Sequence, residues 1–490
     1  MTSAHGVALI LIPFLALGGS AAAILSSRLR DVSFFCLVAL AVLTERLDVH
    51  FFSEAWYRGT TRGIEVSLLE VFAISVVAGC CLGRPGSQRP GYWPASLGLI
   101  LLYLLYSVIS VVVSTPKLFG LFELSKMVGA ILVFVAAAMY VRSRREWTVL
   151  VLALGCAVSL EGIWAVKQRL FTGLDRVSGS LDHANSLSMY LCLATPLLAA
   201  VAHAGWSKGL RRFCMVCVAL ATAGELLTVS RAGVPIFALC LFAVTVACIS
   251  LRITLKRVAV GMLLAVAIVA AIAGSWSHLQ ERYAEASLQE EYFDPNIDGR
   301  GIYLRLADAI ASDHFFGVGL NNWSYYVSRT YGPRLGFRFA DYDFLVSVYG
   351  KSEDIFAESY LAAPAHNLAA LTLGELGVPG LLLFSVLWLR WFAMAVPFLG
   401  GPRDDPMRTM GVGILFCLCG IFGQSLTEWV YRQTPILFTL YVLLGALAGL
   451  VHMRRKLLDA ERFEADRANA YPEAIPVRVV PVQRPVLVGS

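Results

Sequence analysis

The chain has 490 residues, 58% of them hydrophobic and 15% charged, with a mean hydropathy of +0.69. Soluble globular domains carry roughly 25% charged residues, so this composition excludes an ordinary soluble enzyme and points to a polytopic membrane protein. The formal charge of +6 gives no support for nucleic-acid binding.

Apolar runs close to the ~20 residues that cross a bilayer fall at 6–24, 31–44, 64–82, 95–114, 122–141, 147–166, 186–203, 212–230, 232–250, 258–274, 367–389, 409–427 and 435–452. The expected fold is therefore all-α, with about 12–13 transmembrane helices. The first run has no basic leader, since Arg28 and Arg30 follow it, so it does not read as a cleavable signal. All eleven cysteines lie in or beside apolar runs. Cys214 and Cys217 have CxxC spacing but no histidines nearby, so they read as packing residues rather than a zinc or redox site.

Lysine and arginine in the short loops set the orientation. One alternating set of loops holds Arg28, Arg30, Arg84, Arg89, Arg142, Arg144, Arg145, Lys208, Arg211, Arg212, Arg252, Lys256, Arg257, Arg390, Arg403, Arg408, Arg454, Arg455 and Lys456, 19 basic residues in all. The intervening short loops hold about 9, so the first set is expected on the cytoplasmic side. The connection 275–365, with 13 acidic and 7 basic residues, then faces the periplasm. A loop this long is usually functional or disordered, and its Tyr, Phe and Trp content argues against disorder. Three parts follow: N-terminal transmembrane helices over 1–165, a core over 166–453 that includes the periplasmic loop 275–365, and a cytoplasmic tail over 454–490. The proline spacing of the tail favours extended, disordered chain.

Polar residues collect on the expected periplasmic face. "VSRAGVPIF" puts Ser230–Arg231 at the mouth of a span, where an arginine serves either as a snorkelling anchor or as a phosphate ligand. The loop "KQRLFTGLDRVSGSLDHANSLSMY" carries Lys167, Arg169, Arg176, His183 and Asn185, and Asn185 could equally cap the next helix. In "GRGIYLRLADAIASDHFFGVGLNNW" the apolar spacing predicts a helix that starts at Gly299–Arg300 and stops near Asp313–His314. A cation at a helix start opposes the macrodipole. Arg300 is thus a better ligand candidate than Arg305, which has a solvent-facing alternative. The GxG after this helix reads as a turn. In "PAHNLAALTLGELGVPGLLLF", His366 stands at the threshold of a span, and Glu375, costly in lipid if unpaired, should meet a partner or a wet cavity. Asp341–Tyr342–Asp343 reads as an acidic surface patch rather than a metal site.

These motifs, over roughly 170–440, resemble the O-antigen ligase and O-antigen polymerase superfamily of bacterial envelope glycan enzymes. Phe315 stands where that family usually has proline, and an aromatic usual near Leu304 is missing. The resemblance implies a fold like that of the C-type glycosyltransferases. It also implies transfer of a glycan from a polyprenyl diphosphate carrier, in O-antigen or exopolysaccharide synthesis, without a metal, a nucleotide sugar or another cofactor. By position His366 matches the proposed catalytic histidine, Arg231 and Arg300 match proposed diphosphate ligands, and Arg176 and Arg305 are further candidates. The implied partners are the lipid-linked donor, a glycan or lipid A–core acceptor, membrane lipids and other polysaccharide export proteins. The implied location is the bacterial inner membrane with the active site facing the periplasm. As chemistry the set is coherent: an imidazole, with an ordinary pKa near 6.5, suits a base on the acceptor hydroxyl, and arginine forks suit the departing diphosphate. The rival readings are a transporter, which should show repeat symmetry and polar groups at the midplane, or a non-catalytic component of an export complex.

Overall fold

Lipid offers the backbone no hydrogen-bond partner, so a chain this apolar must satisfy its peptide groups internally, and helices do so. The computed structural model describes residues 3–54, 57–83, 93–203, 205–248, 301–337 and 361–470. Of the described residues 78% are helix and 3% strand, and the chain is an all-α polytopic membrane protein.

In chain order the main helices are α1 (Ser3–Leu25), α2 (Ser27–Ala39), α3 (Leu68–Leu82), α4 (Leu97–Val113), α5 (Leu118–Tyr140), α6 (Arg144–Phe171) and α7 (Ala184–His203). They continue with α8 (Lys208–Thr228), α9 (Gly233–Cys248), α10 (Ile302–Asp313), α11 (Leu368–Ala395), α12 (Pro406–Ser425) and α13 (Thr434–Ala470). Among the described residues, six are long and apolar enough to cross a membrane: α5, α6, α7, α11, α12 and α13. Four shorter apolar stretches are Leu11–Leu25 within α1, and α3, α4 and α9. α8 covers the expected run 212–230, yet Lys208, Arg211, Arg212 and Glu225 make it too charged to join the six. The expected run 258–274 lies outside the described residues.

Two expected spans differ at their edges. The run at 31–44 is α2, which gives way to a tight turn at Ala41–Leu43. The run at 64–82 begins as a strand, because β1 (Asp48–Ser53) and β2 (Gly63–Ser67) pair antiparallel before α3 starts. His50 faces Glu65 across that pair at 3.3 Å. Ser67 and Glu70 then cap the start of α3 reciprocally. Hydropathy alone read the apolar half of the hairpin as membrane.

Close approach holds the bundle, since lipid tails remove the hydrophobic drive between helices. α13 carries Gly445 and Gly449 four residues apart against α5. A Cβ at Gly445 would fall 2.4 Å from the Phe134 carbonyl oxygen, and one at Gly449 would fall 2.3 Å from that of Val141. Cys214 and Cys217 are buried packing residues on α8.

α11 is broken at Gly377, whose φ of 69° and ψ of −171° suit glycine almost alone. The break frees backbone groups, and the long connection fills them. Val318 N–H donates to Gly374 O (3.0 Å), Gly319 N–H to Glu375 O (2.8 Å) and Val378 N–H to Phe315 O (3.0 Å). The GxG stretch is thus a turn, as its sequence suggests, with Gly317 and Gly319 at positive φ. α10 ends at Asp313 without the family's proline, because His314 leaves helical geometry there.

Asn321 ties this connection to the N-terminal region. Its Oδ1 accepts from Thr60 N–H (2.8 Å), and its Nδ2 donates to Thr61 O (2.8 Å) and Phe119 O (2.9 Å). Beneath it lies a buried charge cluster. Glu123 pairs with Lys126 at 2.9 Å and with Arg432 at 3.3 Å, and Arg432 also pairs with Glu375. Glu375 therefore has the partner that its position demanded.

Candidate active site

The helices of the core alternate in direction, so their connections collect at two ends. At one end Arg144 donates to Gly205 O (2.7 Å) and Arg408 to Ala247 O (3.0 Å), which gathers arginine-rich loops together. At the other end lie the starts of α7, α9, α11 and α13 and the finishes of α6, α8 and α12.

At that second end His366 precedes α11, and Asn367 caps the helix by accepting from Ala370 N–H (2.9 Å). Asn367 Nδ2 donates to Leu426 O (3.0 Å), which fastens the start of α11 to the connection after α12. That connection carries Glu428, only 3% exposed. Its Oε2 lies 2.7 Å from His366 Nδ1, while Oε1 accepts from Asn185 Nδ2 at 2.7 Å. Asn185 Oδ1 in turn accepts from Arg176 Nη2 (2.9 Å), and Arg176 Nε donates to Thr228 O (3.4 Å). Arg231 sits three residues past Thr228, in the turn between α8 and α9. Tyr303 of α10 lies beside the imidazole, with ring centroids 5.8 Å apart.

The chain of hydrogen bonds has a fixed direction. Arginine can only donate, so Asn185 must turn its oxygen to Arg176 and its NH2 to Glu428. A carboxylate can only accept, so His366 must donate from Nδ1. That tautomer leaves the Nε2 lone pair available, and no described residue donates to it. The His366 side chain is 32% exposed, so Nε2 is reachable from outside. The arrangement can hold a neutral imidazole as a base and compensate the charge that it gains on protonation.

Residues 215–385 match the family model described as O-Antigen ligase. The chain carries an O-antigen ligase domain. Comparison with curated proteins gives no match. The ligase match includes Arg231, Arg300, Arg305 and His366. It stops short of Arg176 and Asn185 on one side and of Glu428 and Arg432 on the other. Glycan transfer of the O-antigen ligase type, by a membrane-embedded enzyme, follows from the domain.

The structure joins His366 to Arg176 through two intermediates and sets Arg231 in the neighbouring turn. Arg305 is exposed on α10 two positions after Tyr303, and residues so spaced on a helix do not share a face. Arg300 lies outside the described residues, as do Asp341 and Asp343. Sequence reasoning missed Glu428. Its signal was an acid at a span border beside Trp429, in a short connection between two apolar runs, where an unpaired charge would be costly.

Proposed function

We propose that the ligase domain transfers a glycan from a polyprenyl diphosphate carrier to an acceptor hydroxyl at the periplasmic face of the inner membrane. The acceptor belongs to lipid A–core or to another glycan. His366 Nε2 takes the acceptor proton, Glu428 holds the tautomer and offsets the imidazolium charge, and Asn185 fixes the orientation of Glu428. Arg231 and Arg300 engage the diphosphate, Arg176 adds positive charge beside them, and Arg305 stands further out on the donor's path. The observation that carries this reading is the directed chain from Arg176 through Asn185 and Glu428 to His366, at the mouth of the apolar helices. Such a chain links a cation for the leaving group to a base for the acceptor. The periplasmic assignment is supported by the gathering of arginine-rich loops at the opposite end.

The test reconstitutes purified protein with polyprenyl-diphosphate glycan and the matching acceptor. His366→Gln keeps a polar side chain but cannot act as a base, and positioned general-base catalysis contributes about 10²–10⁴-fold. A loss on that scale with normal yield is expected. Turnover near wild type would leave the histidine as a structural residue at the helix mouth.

A further inference from the structure

At the end of the bundle away from His366, a cavity of about 510 Å³ opens where α1 and α2, the finish of α3, the finish of α5 and the start of α6 meet. Arg30, Arg142, Arg145, Ser27, Ser143 and Tyr140 contribute its polar lining. Cavities of a few hundred Å³ hold small ligands. α6, 28 residues long, separates it from the candidate active site by about 40 Å. The two sites are therefore distinct.

The charges in this cavity are uneven. Arg30 donates from Nη1 to Gly79 O (3.1 Å), but its Nε is buried without an acceptor among the described residues. Arg142 is 5% exposed and donates from Nε to Ala138 O (3.3 Å). Arg145 pairs with Asp31 at 2.5 Å, and Asp31 also accepts from Tyr140 (2.7 Å). Glu146, the acid among the described lining residues, accepts the Arg142 backbone N–H (2.9 Å) and serves as a cap. Among the described residues, the lining and its hydrogen-bond partners thus hold three guanidinium groups and two carboxylates. α2 and α6 begin here while α1, α3 and α5 end here, so the positive character of the cavity rests on its guanidinium groups and not on helix dipoles. Of the carbonyls at the ends of α1, α3 and α5, Arg30 covers that of Gly79 and Arg142 that of Ala138.

The rest of the wall is apolar. Ile24, Leu25 and Met139 line it, and Leu25 is exposed at the lip. The cavity lies where the membrane-crossing helices α5 and α6 end and begin, at headgroup depth.

We propose that this cavity binds the phosphate of an anionic phospholipid, with Arg30 and Arg142 donating to its oxygens and the acyl chains leaving past Leu25. Guanidinium forks match phosphate oxygens in a way that a point charge does not. A free phosphate ion would offer the same oxygens, but it would not use the apolar lip.

The test uses the full chain, delipidated in neutral detergent, with binding read by native mass spectrometry and by thermal unfolding. The probes are phosphatidylglycerol, phosphatidylcholine and inorganic phosphate. Phosphatidylglycerol should bind and raise the unfolding temperature, phosphatidylcholine should bind more weakly, and inorganic phosphate should do neither. Arg30→Gln should weaken phosphatidylglycerol binding by about tenfold or more, and Arg30→Lys should recover only part of it. Arg30 is only half-buried, so this pair carries the test; Arg142→Gln is read beside it where its unfolding profile matches wild type. Equal phosphatidylglycerol affinity in wild type and Arg30→Gln overturns the site. Stabilisation by inorganic phosphate, lost in Arg30→Gln, keeps the phosphate site and overturns the lipid as its source.

Discussion

Glu428→Gln tests the directed hydrogen-bond chain most sharply, because the substitution keeps shape and removes only charge and one acceptor. A simple view compares a charge-assisted hydrogen bond with a neutral one, about 1.5–3 against 0.5–1.5 kcal/mol, and expects a loss of roughly 5–13-fold. The geometry predicts more. Arg176 fixes Asn185 with its NH2 toward position 428, at 2.7 Å. The new amide must therefore turn its oxygen to Asn185 and its NH2 to His366 Nδ1. The imidazole then has to accept at Nδ1 and carry its proton on Nε2, where it cannot act as a base. The equivalent carboxylate-to-amide change in a Ser-His-Asp triad lowers turnover by about 10⁴, so a loss of about 10²–10⁴ is expected here. The pair Asn185→Asp with Glu428→Gln should recover about tenfold or more of it. An aspartate at 185 accepts from both Arg176 and the new amide, which frees the amide oxygen to accept from His366. The assay is single-turnover glycan transfer by purified protein, with yield and unfolding temperature as controls. Turnover of Glu428→Gln at or above a thirtieth of wild type refutes the tautomer argument, and so does a double variant no faster than the single one.

Gly377→Ala should cost stability well beyond the ~1–3 kcal/mol of a strained backbone, since its Cβ would fall 2.1 Å from the Phe315 carbonyl oxygen. Gly173→Ala, also at positive φ but with open space around it, should cost only the lower end of that range, and equal unfolding temperatures for the two would show that the clasp is loose. Burial, then Glu65, Glu70 and Glu45, push the Asp48 carboxyl up to about 8. The folded state therefore holds a proton that the unfolded state has released, and stability falls as pH rises from about 4 to about 8. Asp48→Asn should gain on wild type between pH 5 and pH 9 in thermal unfolding, whereas parallel curves would contradict the burial of the charge. For sidedness, a cysteine replacing the exposed Thr330, in a variant lacking the eleven native cysteines, should react with an impermeant thiol reagent from the periplasm. Labelling only after the inner membrane is opened would reverse the orientation.

His366, Arg231 and Arg300 stood out in the sequence because each sits inside a short local pattern at a span border. Arg176 was weaker, since a solvated loop and a ligand-bearing loop have the same composition. The border position of Glu428 was legible but its pairing was not: its partner His366 is 62 residues away, and hydropathy carries no information about which span borders meet. The same blindness hid Arg432, which lies buried between Glu123 and Glu375. The hairpin at 48–67 was lost because a window long enough to find a span averages over a five-residue strand. Glu375 shows the opposite case, since the cost of a lone carboxylate in lipid demanded a partner without naming it.

The Asn321 clasp bears on how far the protein can be taken apart. One side chain holds the 60–61 turn, the start of α5 and the connection that rests on the break in α11, and it does so with both of its polar atoms. The 171 residues that the family model recognises therefore lean on chain outside them for this contact. A chimaera that swaps this stretch between relatives would have to carry the N-terminal hairpin and the connection after α12 with it. Co-expressed halves cut between α3 and α4 would reassemble only if Asn321 found its partners again across the cut.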